Sequence, residues 1–416
     1  MLTDNYKKKL NFLIPYYREK HIMEGADGTY QQQYFYMENG VSICSSSTYC
    51  ALEKNQLLAN DAIYHFAAVK LHKRAEEKRT WDTWIQELTQ RLFHFMNFKN
   101  EMESIEILND YLPKLKECEE VLYYGEIYWL LEKLRAFLEN RNDMINEKEF
   151  YHLDSIASIY EGKLKELAMY YLFVYANYHE DEKIEHVLLR YPYDESEFIS
   201  NRIFSISIEE RKHNYLISYG KYKEIETKLI EVGNTNQLPQ VYINMIDLLK
   251  DFDIKMTENY KNKIIKLLYT NELSEQQKWH TYMNLGSLFT SLGDFPFSIQ
   301  CLKQALKISD KLAVRAYICL CYSYHMFHGK IPEIYLKAPK ASKGDKIDWI
   351  TYKYYLYMKK RTNEENKRYI LKEVLPCLNK NDTLYLKIMR KEIDYLCKIS
   401  KGYKALYEFD NMIGKK

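Results

Sequence analysis

The hydrophobic pattern of most of the chain has the period of an amphipathic α-helix. From about residue 80 onwards, apolar residues recur at i, i+3, i+4 and i+7 in segments separated by short polar joints; clear examples are 119–140, 164–180 and 382–400. This spacing places the apolar side chains on one face of a helix. The pattern therefore predicts a long series of helices, each with one buried face.

The first 75 residues carry a different pattern. They predict four shorter helices, joined by connections that contain turn-forming residues, over 10–21, 30–39, 45–55 and 61–74. Gly40 is expected to end the second of these as a left-handed C-terminal cap. We therefore predict a small helical domain over residues 1–75, followed by a second domain over residues 76–416.

The strongest internal pattern lies at 279–312. It consists of large, small and aromatic residues at fixed offsets: Leu285, Gly286, Phe289, Gly293, Phe295, Ser298, Leu302 and Ala305. The pattern resembles a tetratricopeptide repeat, in which two helices pack antiparallel. The resemblance implies that Gly286 and Ser298 let the helices approach closely, and that Leu302 and Ala305 pack into the resulting groove.

A weaker copy of this pattern lies at 215–231, where Gly220, Tyr222, Ile225 and Leu229 have the same spacing as Gly293, Phe295, Ser298 and Leu302, so Gly220 is expected between two helices. Repeats of this kind stack into a curved solenoid with a concave face. The expected fold class is therefore all-α, with a repeat array running from about residue 80 to about residue 410.

Composition agrees with a helical chain. Only 13 Gly and 8 Pro occur in 416 residues, and these are the residues that interrupt helices. A net charge of +2 gives no field that would attract polyanions to the whole molecule. The eight Cys have no framework spacing, which favours reduced thiols in a cytosolic protein. The N-terminal segment has only a short apolar run, broken by Pro15, so neither a signal peptide nor a membrane span is predicted and the expected location is cytoplasmic.

A run of hydroxyl residues stands out within ENGVSICSSSTYCALEKNQ, residues 38–56. Ser45 suits the N-cap of a helix, and residues 46–48 are small and polar enough to enter a DNA major groove. Tyr49 and Leu52 are three positions apart and are expected to face the core. The same run also fits a capped surface helix in an ordinary helical bundle.

The run resembles the third helix of the Cro/C1-type helix-turn-helix family, on residues Ser45, Ser47, Thr48, Tyr49, Leu52, Glu53 and Asn55. Residues 30–39 would then be the second helix, although the connection NGVSICS is longer than the family's usual turn. The resemblance implies double-stranded DNA as a partner, contacted by Gln31, Gln32, Ser45, Ser46, Ser47, Thr48 and Lys54. Lys7, Lys8, Lys9, Arg18 and Lys20 are further candidates for phosphate contacts.

A Cro/C1-type domain followed by tetratricopeptide-like repeats resembles the RRNPP class of peptide-pheromone receptors, of the Rgg and PlcR type. That resemblance implies a homodimer whose repeat domain binds a short signalling peptide and thereby alters DNA binding. Asn amides can pair with both the donors and the acceptors of an extended peptide backbone. The candidate peptide contacts are Asn214, Asn244 and Asn284.

Signals for catalysis or cofactor binding are weak. Cys321, His325 and His328 share a helix face and could bind a metal, but three ligands without a fourth are more typical of a packed core. Glycine-rich phosphate loops, nucleophile elbows, HExxH and CxxC do not occur in the sequence. We therefore predict no metal, no cofactor and no enzymatic activity.

Three functions remain open from the sequence. The preferred one is a cytosolic transcription regulator of quorum-sensing type that binds DNA and senses a peptide. The alternative is a protein-interaction scaffold or response-regulator antagonist, in which the N-terminal bundle binds protein instead of DNA. A hydrolase or phosphatase on a helical scaffold would need convergent acidic or metal-binding residues in the groove.

Overall fold

The structure is a computed structural model, and it describes residues 1–23, 32–38, 41–140, 143–179, 181–270, 272–310, 313–337, 346–378 and 383–414. These residues form two compact units, unit 1 over Met1–His213 and unit 2 over Asn214–Lys416. Nearly all of their regular structure is helical, which confirms the all-α fold class.

Unit 1 contains ten α-helices and one short hairpin among its described residues. The helices are α1 Asp4–Met23, α2 Ser46–Glu53, α3 Asp61–Lys70, α4 Arg79–Asn97, α5 Glu101–Leu115, α6 Leu122–Glu139, α7 Glu147–Ile156, α8 Gly162–His179, α9 Asp181–Arg190 and α10 Ile199–Arg211. The hairpin pairs β1 Met37–Glu38 with β2 Val41–Ser42 in antiparallel register. Single 3₁₀ turns occur at Gln32–Phe35, Lys116–Cys118, Ala157–Ile159 and Tyr193–Glu195.

Unit 2 contains a further ten α-helices among its described residues. They are α11 Tyr215–Glu231, α12 Leu238–Leu249, α13 Ile254–Tyr269, α14 Glu275–Leu292, α15 Phe295–Ile308, α16 Ala313–His328, α17 Lys346–Tyr357, α18 Asn363–Tyr369, α19 Thr383–Ser400 and α20 Lys404–Gly414. A π-helical turn at Ile370–Val374 follows α18, and 3₁₀ turns occur at Thr235–Gln237, Glu333–Leu336, Met358–Lys360 and Leu375–Cys377.

The pair α14–α15 has the close packing that the repeat pattern predicts. A Cβ atom placed on Gly286 would lie 2.5 Å from Cγ of Leu302 and 2.6 Å from its Cδ2, so only glycine fits there. Ser298 is buried beside it and donates a hydrogen bond of 2.9 Å to the Gly286 carbonyl oxygen. Gly293 ends α14 in the left-handed conformation, with φ of 86°. Gly286 therefore determines how closely these two helices approach.

The weaker repeat copy at 215–231 was wrong as a helix pair. Gly220 lies inside the single helix α11 instead of between two helices, and a Cβ atom there would meet no heavy atom within 4 Å. Tyr222, Ile225 and Leu229 are nevertheless buried along that helix. Their spacing is the ordinary spacing of one buried helical face, which the repeat pattern shares.

The helix predicted over 30–39 was also wrong. Its described part forms the 3₁₀ turn Gln32–Phe35 and strand β1, which pairs with β2 through Met37 opposite Ser42 and Glu38 opposite Val41. Phe35 is fully buried and anchors the turn against Tyr49, with ring centroids 6.0 Å apart. Gly40, the expected cap, lies outside the described residues.

The domain boundary predicted near residue 75 stays a prediction. Residues of α1, α2 and α3 belong to the same hydrophobic core as residues of α4 to α8, and this core extends to Phe198. A parallel backbone bridge joins Arg74 to Val121, just before α6. The three N-terminal helices therefore pack as part of unit 1. Among the described residues, no helix is both long enough and apolar enough to cross a bilayer.

Candidate DNA-binding helix

Helix α2 begins as the hydroxyl run predicts. Ser45 is the N-cap, with extended backbone angles φ −73° and ψ 155°, and its Oγ accepts a 3.1 Å hydrogen bond from the backbone N–H of Thr48. Tyr49 and Leu52 are fully buried, whereas Ser46 and Ser47 are exposed and Thr48 is half-buried. Both the cap and the buried face are confirmed.

The hydroxyl groups at this helix start also bond to one another. Oγ of Ser45 lies 2.8 Å from Oγ of Ser47 and 2.8 Å from Oγ1 of Thr48. Two of the three expected groove-facing hydroxyls therefore belong to the capping cluster. The hydroxyl of Ser46, which is exposed in the same first turn, takes no part in these bonds.

An ion pair ties α2 to α1. Arg18 Nη2 lies 2.8 Å from Glu53 Oε1, and both side chains are largely buried. Dissolved salt screens a charge pair that is shielded from water less than it screens a surface pair. The position of α2 is therefore determined by both its apolar face and this pair.

Several of the expected phosphate-binding cations serve other contacts. Lys7 is buried and pairs with Asp61 at 2.8 Å, while Lys9 Nζ donates to the Tyr123 hydroxyl oxygen at 2.9 Å. Arg18 is engaged with Glu53, as described. Lys54, at the C-cap of α2, is exposed. Of the two candidate glutamines, Gln31 lies outside the described residues, and Gln32 begins the 3₁₀ turn before the hairpin.

A buried polar cluster that the sequence did not reveal fixes α1 against α6 and α7. The Tyr17 hydroxyl donates to Oε1 of Glu126, a carboxylate that is only 4% exposed. Nε2 of His152 lies 2.8 Å from Oε2 of the same carboxylate, and its Nδ1 lies 2.6 Å from the Tyr16 hydroxyl. Since the carboxylate accepts, Nε2 donates, and in neutral His152 Nδ1 accepts from Tyr16.

Through this cluster, α1 contacts α6 and α7 as well as α2. Burial, followed by the adjacent Glu126 carboxylate, raises the pKa of Tyr17 well above its usual range, so the hydroxyl stays protonated and donates. The same helix carries Arg18, which contacts α2. Displacement of α1 would therefore disturb both α2 and the Glu126 cluster. A Glu inside the apolar run of α6 is the one sequence feature that could have signalled it.

The three candidate peptide-binding asparagines lie in unit 2 on separate helices. Asn214 is the N-cap of α11 and its side chain makes no capping bond there. Asn244, on α12, accepts a 2.8 Å hydrogen bond from Nε2 of Gln240. Asn284, on α14, is exposed. Helix α12 packs against both α11 and α14, so the structure places these residues on neighbouring helices.

The Cys321, His325 and His328 positions share α16 but make different contacts. His325 Nδ1 lies 3.0 Å from both carboxylate oxygens of Glu392, which is fully buried and also accepts from the hydroxyls of Tyr354 and Tyr355. Burial raises the pKa of Cys321 well above its usual range, so its thiol is protonated. His328 is exposed beside Tyr324.

No family model, no curated protein and no solved structure matches this chain.

Proposed function

We propose that the chain is a ligand-responsive, DNA-binding transcription regulator. The N-terminal turn of α2 would contact DNA, a short peptide would be sensed in unit 2 through Asn214, Asn244 and Asn284, and a homodimer would bind two half-sites. A dimer is part of the proposal because one reading helix buries too little surface for tight specific binding.

The observation that carries the proposal is the orientation of α2. Its capped first turn exposes Ser46 and Ser47, while Tyr49 and Leu52 are buried in the core on the opposite face. A DNA-reading helix needs this combination. Its first residues must reach base edges and phosphates, and its buried face must hold it in a fixed position on the domain. Exposed Lys54 adds one positive charge at the other end of the helix.

The test is genomic pull-down with sequencing of the bound fragments, comparing the wild type with Ser46→Glu plus Ser47→Glu. Acidic residues in the first turn of a helix interact favourably with its dipole, so this variant is expected to keep α2 folded. Two carboxylates in a phosphate-facing turn would repel DNA, and we expect recovery of the enriched fragments to fall to background.

The matched control is Gln86→Glu plus Gln90→Glu, which adds the same charge to two exposed positions of α4. Enrichment of the same fragments by wild type and control, but not by the α2 variant, supports the proposal. Equal recovery by all three proteins would show that α2 does not contact DNA. A wild-type protein that enriches no fragment at low salt contradicts the DNA half of the proposal.

Peptide sensing is tested separately from DNA binding. Peptides from a random library are selected on the full chain and then measured against Asn284→Ala and Asn244→Ala. Each lost amide contact is expected to weaken binding about 5-fold to 10-fold, the value of one hydrogen bond. Unchanged affinity in both variants would place the peptide elsewhere.

A protein-interaction scaffold is the second candidate, and the surface next to α2 favours it. On the hairpin, Val41 is 66% exposed and Ile43 is 39% exposed. Apolar side chains beside a polar helix suit a protein partner better than a phosphate backbone. Salt separates the two functions, because DNA affinity falls steeply with salt concentration and apolar association does not.

A further inference from the structure

Helix α11 is apolar on two opposite faces. Its inner face, with Tyr222, Ile225 and Leu229, is buried, and α11 packs against α12. On the outer face, Leu216 is 88% exposed and Ile230 is 58% exposed. A surface helix normally has polar side chains on its outer face, whereas a helix that is apolar all round is normally covered all round. The outer face of α11 therefore has the composition of a covered surface.

The exposed apolar surface continues at both ends of α11. Ile217 in its first turn and Val232 at its C-cap are each more than half exposed. At the start of the helix, the ring of Tyr215 contacts the ring of Phe252, with centroids 5.1 Å apart. Phe252 and the nearby Ile254, which begins α13, are also more than half exposed. The apolar surface therefore extends along the helix and onto the turn before α13.

The area of this surface matches an interface between two copies of the chain. The six apolar side chains are on average about two-thirds exposed, which gives roughly 600 Å² at about 150 Å² for each fully exposed side chain. The largest apolar patch on a typical monomer covers about 300–600 Å². Two copies that cover each other here would bury roughly 1,200 Å², which reaches the range of about 1,200–2,000 Å² for stable protein–protein interfaces.

A row of charged side chains beside the apolar face matches an antiparallel copy of the same helix. Lys221, Glu224, Lys228 and Glu231 alternate in sign at spacings of three or four residues, which places them in one row along α11. In an antiparallel pair centred on Glu226, Lys221 of one copy lies opposite Glu231 of the other. Glu224 then lies opposite Lys228. Opposite charges that meet across an interface determine its orientation and register.

We propose that the outer face of α11 binds the same face of a second copy of the chain in antiparallel orientation. Leu216 and Ile230 lie in the apolar part of this interface, and the charged row lies along its edge. The inference rests on the proposed function, because it identifies the contact of the homodimer that belongs to that proposal. The contact itself needs no DNA, so the two are tested apart.

Sedimentation equilibrium of the full chain without DNA tests the contact. Interfaces of standard size have micromolar or tighter affinity, so we expect a dimer at about 100 µM. Leu216→Asp plus Ile230→Asp places two charges in the apolar interface and should weaken dimerisation at least about 100-fold. Both side chains are exposed in the single chain, so the variant should fold, and far-ultraviolet circular dichroism verifies this.

The matched control is Phe327→Asp plus Ile334→Asp. These two apolar side chains also lie in unit 2 and are also more than half exposed, but they are not on α11. The control adds the same charge to unit 2, and its dimerisation should equal that of the wild type.

Mixing two charge variants tests the antiparallel register. Glu224→Lys and Lys228→Glu each bring like charges together at both symmetric contacts, so each variant alone should dimerise at least about 10-fold more weakly. In a mixture of the two variants, the heterodimer has opposite charges at both contacts and should form with about the wild-type affinity. A folding defect within a single chain cannot produce this rescue.

The remaining outcomes are decisive as well. A wild type that stays monomeric at about 100 µM overturns the proposal, and the face would then belong to an interface with a different protein. A dimer that survives Leu216→Asp plus Ile230→Asp overturns the location, and absence of rescue by mixing overturns the antiparallel pairing. A wild-type dimer that enriches no DNA fragment contradicts the proposed function and supports this contact, whereas a monomer that enriches fragments contradicts only the contact.

Discussion

Replacing Gly286 with Ala should destabilise unit 2. The added Cβ would lie 2.5 Å from Cγ of Leu302, whereas non-bonded carbon atoms pack at about 3.5–4.0 Å, so about 1 Å of relief is needed. Leu302 is fully buried and the nearest atom, its Cγ, is a branch point, so relief requires a shift of the packed side chain and not only of its flexible end.

The expected magnitude follows from two opposing effects. Overpacking a well-packed core costs about 1–3 kcal/mol, and a clash with a branch atom belongs at the upper end. Ala gains about 1 kcal/mol over Gly in helix propensity. The net loss for Gly286→Ala is therefore about 2 kcal/mol, which lowers the melting temperature of a unit of this size by roughly 4–8 °C.

Gly220→Ala is the matched control in the same unit. Gly220 also lies inside a helix, but a Cβ there meets no heavy atom within 4 Å. Only the propensity gain remains, so this variant should be stabilised by about 0.5–1 kcal/mol. Urea denaturation followed by far-ultraviolet circular dichroism measures both.

A double-mutant cycle identifies the contact responsible. In a Leu302→Ala background the clash is gone, and adding Gly286→Ala should then be neutral or stabilising. If Gly286→Ala alone stabilised the protein as much as Gly220→Ala does, the close approach of α14 and α15 would be refuted.

Two further predictions concern the polar contacts. Ser45→Ala should cost about 1 kcal/mol in the thermal melting of unit 1 through loss of the α2 cap, and Ser45→Asp should restore it; equal melting of all three proteins would contradict the cap. Burial alone would lower the pKa of His325, but its hydrogen bonds and charge interaction with Glu392 outweigh burial and raise it above 6.5. The stabilisation by the His325–Glu392 pair should therefore be fully present below pH 6.5 and be lost as the pH rises through the folded-state pKa of His325. Urea unfolding at a series of pH values measures this dependence, and Glu392→Gln should remove it.

The local features of α2 were accessible from the sequence because they depend on neighbouring residues. A cap hydroxyl and the N–H it accepts from are three residues apart, and Tyr49 and Leu52 lie on one face by helical geometry alone. The close contact at Gly286 was accessible for a related reason, since the spacing of the repeat pattern brings Leu302 opposite it.

The hairpin differs from the prediction because the pattern over 30–39 indicates a helix that Gly40 ends. An Asn-Gly pair is also a strong hairpin signal, and the flanking residues Tyr36, Met37 and Val41 include types that favour strands. Burial of Phe35 against Tyr49 is a tertiary contact that the local pattern does not contain.

The Glu126 cluster and the start of α10 depend on contacts between distant positions. Glu126 meets Tyr17 across 109 positions, and no periodicity connects them. Similarly, the start of α10 lies beside the end of α4 because Ile199 N–H donates a 3.0 Å hydrogen bond to Oδ1 of Asn97, 102 positions away. Sequence patterns identify the helices but do not identify such convergences.

The shared packing of α1 limits how this chain could be divided or recombined. A fragment ending near residue 75 would keep α2 and α3 but leave Tyr17 without Glu126 and Tyr6 without the ring of Tyr124, which lies 5.5 Å away by ring centroids. Such a fragment would expose apolar and polar surface that the intact chain covers. The N-terminal helices are therefore poorly suited to transfer into another protein as an independent domain. Substitutions at the contacts between α1 and α6 are expected to be inherited together.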